Sequence, residues 1–103
     1  MKKAEQKIIN EMCMNKWAEA YEYIGKNDYK IKPFRKCSAE LIISDKYIFL
    51  RSYRTLIAVY DVEEKIVYDC LRYMYGYTAT STQHISKFYH DMHAKEMFRW
   101  ERI

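Results

Sequence analysis

At 103 residues, half of them apolar and 31% charged, the chain makes one globular domain spanning 1–103, which excludes a disordered tail or a fibrous repeat. No apolar run approaches the roughly 20 residues that span a bilayer, and the N-terminal stretch lacks the apolar centre of a secretory signal, so a cytoplasmic protein with no membrane partner is expected. The net charge is +4, and its whole excess falls in residues 25–38, where Lys26, Lys30, Lys32, Arg35 and Lys36 face a single acid, Asp28.

In chain order, residues 3–24 predict an amphipathic helix. Ile9, Met12, Cys13, Trp17, Ala20 and Ile24 recur at spacings of three and four, and Gly25 is the expected stop. The basic stretch 26–36 follows as an irregular connector containing Pro33, with Tyr29 and Phe34 interleaved among its cations. Cations between aromatics suit phosphate contact with base stacking, and they equally suit docking on an acidic protein surface. The plainer reading is a solvated loop.

The period then changes to two. Residues 40–44 and 47–53 predict a hairpin about Asp45-Lys46, 55–60 a third strand, and 65–73 a fourth after the turn 61–64. Connections this short favour an antiparallel meander, because parallel pairing needs a long crossover. Thr80 with Gln83 forms a capping box, and the helix it opens should run to about Lys95 with Ile85, Phe88, Tyr89 and Met92 inward. The tail 97–100 either extends that helix or folds back. The expected fold is therefore α+β, in the order α-β-β-β-β-α: a four-stranded antiparallel meander with both helices on one sheet face.

The chemistry-bearing residues are sparse. Cys13 and Cys70 lie in apolar surroundings, while Arg35 and Lys36 beside Cys37 would favour its thiolate. Three widely spaced cysteines make no disulfide framework, which suits a reducing cytosol. His90 and His93 share a helix face and, with Asp91, resemble part of a metal site; a solvated polar face explains them as well. His84, in a first helical turn, reads as a neutral hydrogen-bonding residue. Asp61, Glu63, Glu64 and Asp69 cluster on one hairpin, where turn acids normally serve solubility. With no Gly-rich phosphate loop, nucleophile elbow or zinc spacing, no enzyme activity, cofactor or metal is expected. The compositional oddity is 11 tyrosines. Strand alternation would expose Tyr47, Tyr53, Tyr60, Tyr68, Tyr73, Tyr75 and Tyr77 on one face, where they could serve an interface or simply wet their hydroxyls.

Ser52-Tyr53-Arg54-Thr55-Leu56-Ile57-Ala58-Val59-Tyr60-Asp61 resembles an S-Y-x-T…A-x-Y-D motif. Tyr77-Thr78-Ala79-Thr80-Ser81-Thr82-Gln83-His84-Ile85, followed by Phe88, resembles Y-S-x-T-T-x-x-H-I-x-x-F, with departures at Thr78 and Ser81 that keep a hydroxyl. Over residues 40–90 the chain thus resembles small proteins of bacteriophages and mobile elements in Gram-positive bacteria. That resemblance implies an accessory gene acting on host machinery. It carries no activity to transfer. The reading it favours is a non-catalytic inhibitor of a host defence effector, most sharply an anti-CRISPR protein blocking a Cas nuclease or its RNA complex. The alternative is a small nucleic-acid-binding module using residues 26–36. The candidate contact residues are Lys26, Tyr29, Lys30, Lys32, Phe34, Arg35, Lys36, Tyr53, Tyr60 and Tyr77, and a homodimer through the tyrosine-rich sheet is a further option.

Overall fold

The first segment carries apolar side chains at spacings of three and four and contains no proline, so nothing opposes a long helix, though Met12, expected inward, is exposed along with Ile8, Met14 and Tyr21. In the computed structural model, which describes residues 3–35, 38–70, 79–101 and 103, helix α1 runs Lys3–Lys26. It passes through Gly25, the residue expected to stop it. The helix ends a residue later, where Asn27 Nδ2 donates to the Tyr23 carbonyl at 2.9 Å and satisfies an orphan acceptor of the last turn.

Strands β1 (Lys30–Pro33), β2 (Ala39–Ile43), β3 (Tyr47–Ser52), β4 (Thr55–Asp61) and β5 (Ile66–Asp69) follow, then helix α2 (Ala79–Asp91) and strand β6 (Glu96–Arg99). They form one six-stranded sheet in chain order. Every pairing is antiparallel except β5 with β6, which is parallel and has α2 in its crossover. The α+β class and the central meander are as expected, but the four predicted strands are only β2 to β5. Residues 30–33, read as part of a loop, are an edge strand, and the tail folds back as the opposite edge.

The helices do not share a sheet face. Cys13 and Ala20 of α1 pack with Ile42, Phe49, Val59 and Tyr68, whereas Ile85 and Phe88 of α2 pack with Leu50, Ala58, Tyr60 and Val67 on the other side. The cause lies in the strands. All four residues of β5 and the last five of β4 are buried, so both faces need a cover. A bulge between β3 and β4 adds to this. Leu50 pairs with Ala58 but Arg51 with Leu56, so Ile57 is the extra residue, and it joins Ala58 in the α2-side core while Leu56 packs on the α1 side. Double coverage also corrects the tyrosine reading: Tyr47, Tyr60 and Tyr68 are core residues, not an exposed row.

Polar ties lock the layers. Lys16 of α1 reaches Asp61 and Glu64, both at 2.8 Å, and Asp61 Oδ1 also accepts the Glu64 amide. Burial alone would raise the Asp61 carboxyl, but the Lys16 ammonium overrides it and holds the group below the ordinary carboxylate range. Asp69, fully buried, pairs with Arg99 at 3.0 Å. These two acids are thus internal ties, contrary to the reading of that cluster as a solvated turn. Gln6 and Asn10, also buried on α1, bond to the Arg99 and Glu101 backbone and fasten α1 along β6. At its far end α2 closes with His93 N–H on the His90 carbonyl and Ala94 N–H on that of Tyr89, His93 standing at a φ of 54°. That is a Schellman ending with histidine where glycine is usual.

Candidate interaction site

The C-terminal end of α1, the edge strand β1 and the β3–β4 hairpin converge at one end of the molecule. Between them lies an open cleft of about 500 Å³. Tyr21 reaches it from α1 and is stacked on Trp17 at 5.0 Å. Tyr29 and Ile31 wall it from the β1 side, Phe49 and Leu56 line it from the sheet, and Arg51 and Arg54 supply its charge. Exposed large apolar residues gather at this cleft: Tyr21 is 57% exposed, Tyr29 52% and Ile31 47%. Arg51 gives Nη2 to Glu40 at 2.9 Å, but its Nε is buried with no partner among the described residues. Arg54 makes no ion pair among them. Such a cleft can seat an apolar or aromatic group and offer guanidinium donors to a carbonyl or carboxylate beside it.

Arg54 is aimed by an unusual turn. Ser52 pairs with Thr55, leaving Tyr53 and Arg54 as a two-residue loop at φ of 48° and 71°. Positive φ at both positions is the type I′ pattern that fits hairpin twist, normally with Asn-Gly. Here the surroundings impose it. Tyr53 N–H donates to the Ser38 carbonyl at 3.2 Å, the buried Ser52 Oγ lies 2.9 Å from His84 Nδ1, and the Tyr53 ring lies 6.3 Å from the His84 ring. Burial, with a lesser push from Lys87, lowers the His84 pKa, so the ring stays neutral and serves as an anchor. Its partner is Ser52. Ser52 is fully buried and is sealed from any substrate.

The predicted contact residues divide. Tyr29, Lys30 and Lys32 are exposed on and beside β1, Tyr53 is exposed on the β3–β4 turn but lies by His84 on the α2 side, and Lys26 is exposed in an i,i+4 pair with Glu22. Phe34 and Tyr60, at 2% and 7% exposure, sit in the α2-side core and are withdrawn from the contact set. Phe34 meets Phe88 edge-on at 6.2 Å. Arg35 clasps Asp91 of α2 through both Nε and Nη2, and this guanidinium holds the Asp91 carboxyl below its ordinary range. Lys36, Tyr77 and Cys37 lie outside the described residues, as do Tyr73 and Tyr75. The sequence missed Tyr21, Ile31, Arg51 and Arg54. Only Tyr21 had a visible signal, its i,i+4 spacing from Trp17.

His93, in the left-handed position beyond α2, does not share a helix face with His90 as the spacing implied. Among the described residues no three His, Cys, Asp or Glu side chains gather where they could hold a metal ion, and no helix is long and apolar enough to cross a membrane. The backbone of α2 is helical from Ala79, one residue ahead of the expected cap at Thr80.

A six-stranded sheet with a helix on each face and an aromatic and basic cleft defines a small α+β domain. A family of unknown function, DUF8033, matches residues 7–103, and the chain belongs to that family. No curated protein and no solved structure matches it.

Proposed function

We propose that the chain is a non-catalytic binding protein that docks on a host protein through the end formed by α1, β1 and the β3–β4 turn. In the phage or mobile-element setting implied by its motifs, the partner is a bacterial defence effector in the cytoplasm, most sharply a CRISPR effector nuclease. Inhibition then consists of occupying a surface that guide RNA, target DNA or a moving domain needs. The observation behind this reading is the gathering of exposed Tyr21, Tyr29 and Ile31 beside Arg51 and Arg54 at the cleft. Aromatic and arginine side chains dominate the energetics of protein interfaces.

Lys30, Lys32 and Arg54 form no ion pair among the described residues, and with two exposed tyrosines nearby they favour a second reading, the nucleic-acid module. It is weaker because Arg35 is clasped to Asp91 and Phe34 is buried, which removes a cation and a stacking ring from the expected groove. Binding of a labelled single-stranded oligonucleotide at 50 and 200 mM salt separates the two. The proposal predicts no saturable binding at the higher salt. Tight binding that weakens steeply across that range would assign the surface to nucleic acid instead, since each phosphate contact adds to the salt slope.

A further inference from the structure

The sheet has two edges, and they are finished differently. At β6 the α1 side chains Gln6, Asn10 and Cys13 bond to the backbone of Phe98, Arg99 and Glu101. At β1 no strand lies beyond Lys30–Pro33 among the described residues, and all four residues are exposed. The polarity of this open edge follows from one bond. Phe34 N–H donates to the Ala39 carbonyl at 2.9 Å and so faces β2. In an antiparallel ladder alternate residues face the same neighbour, so Lys32 and Lys30 also point inward, while the N–H and C=O of Ile31 point out. Pro33 is the next outward position, where a missing N–H costs the sheet nothing.

The side chains alternate as well. Lys30 and Lys32 lie opposite Ile43 and Leu41, and Leu41 packs on the α2-side core, so both lysines stand on that side. Ile31, opposite Ile42, stands on the α1 side at the cleft beside Tyr29. Asp28 and Asp45 flank Lys30 without pairing to it. A second copy of β1 is a poor occupant: antiparallel pairing about a two-fold axis keeps the faces together and sets lysine against lysine.

We infer that β1 is an augmentation edge, which takes an extended segment of the partner protein in which acidic residues alternate with apolar ones. The segment's main chain bonds to the outward groups of Ile31. Its acids lie across from Lys30 and Lys32, and its intervening apolar side chain covers Ile31 at the mouth of the cleft. This rests on the protein-docking reading and names the chemistry that the docking end recognises.

The probe is a fluorescent heptapeptide alternating glutamate with valine, followed by anisotropy, with a lysine–valine heptapeptide as control. The glutamate peptide should bind saturably and the lysine peptide should not. Ile31→Pro removes an N–H that the fold does not use, so it should leave the melting temperature near wild type yet weaken the peptide at least about tenfold, whereas Ile31→Ala, which keeps the N–H and loses only the side-chain contact, should weaken it less. A Lys30→Glu, Lys32→Glu double variant should exchange the preference of the two peptides, and it decides the matter if Ile31→Pro does not fold. Absence of saturable binding, equal binding of both peptides, undiminished binding by folded Ile31→Pro, or a wild-type dimer that Ile31→Pro dissolves would each overturn the inference. Capture of an effector that is indifferent to Ile31→Pro would also remove it while leaving the functional proposal standing. Peptide binding without any effector capture would do the reverse.

Discussion

Tyr53 and Arg54 hold left-handed backbone that neither side chain favours, at a cost of about 1–3 kcal/mol each. The Ser52–His84 contact and the Ser38 carbonyl keep the turn closed against that cost. Replacing the pair with Asn-Gly should therefore raise the melting temperature, by about 4–8 °C for each kcal/mol relieved, while weakening partner capture because the Arg54 side chain is lost from the cleft. A variant that gains no stability would show that the turn is not strained. His84 gives a second prediction. Its folded pKa lies below the ordinary 6.5, so above that value its contribution to stability is fully present. As pH falls from about 6.5 through the folded value, the unfolded chain takes up a proton that the folded chain refuses, and stability drops. Denaturant titrations across that window should show this loss in wild type and its absence in His84→Gln. At this scale the sequence was a partial guide. The neutrality of His84 was readable from its helical position, but its partner was not, because Ser52 is 32 residues away.

Among the elements, the most informative junction is α1 on β6. The buried Asn10 receives the Glu101 N–H at 2.9 Å and donates to the half-buried Glu101 carbonyl at 2.6 Å. Asn10→Ala strands both groups and should cost about 1–3 kcal/mol. Hydrogen exchange should show β6 amides losing protection first, with β3 and β4 unchanged; uniform loss across the sheet would mean that β6 is not a separable unit. The central strands were readable because their apolar residues are dense and their turns short. Strand β1 was not, since Ile31 is its only large apolar side chain and its partners are set by the β2 register. Strand β6 was not either, because a parallel pairing depends on a crossover that no local pattern records. The opposed helices had a signal in the unbroken apolar run Ile66-Val67-Tyr68, which fits a strand covered on both faces better than one exposed on one.

At the scale of the molecule, the proposed docking rests on unevenness. One edge is fastened by α1 and the other is open, and the excess charge of the sequence lies on and around the open one. The sequence drew most of its candidate contacts from residues 26–36 and read that segment as a loop. A strand, not a loop, presents the lysines, and the aromatics that matter come partly from α1. Residue spacing could not show this, since Tyr21, Ile31 and Arg54 meet only through the sheet. The most direct measurement is a tagged pull-down from a CRISPR-bearing bacterial lysate, run with and without nuclease, using wild type and a Tyr21→Ala, Tyr29→Ala, Arg54→Ala variant as baits. The account predicts a defence effector that survives nuclease on the wild-type bait, is lost from the variant, and is inhibited when the purified chain is added to its cleavage reaction. Recovery of nucleic acid alone, abolished by nuclease, would contradict it.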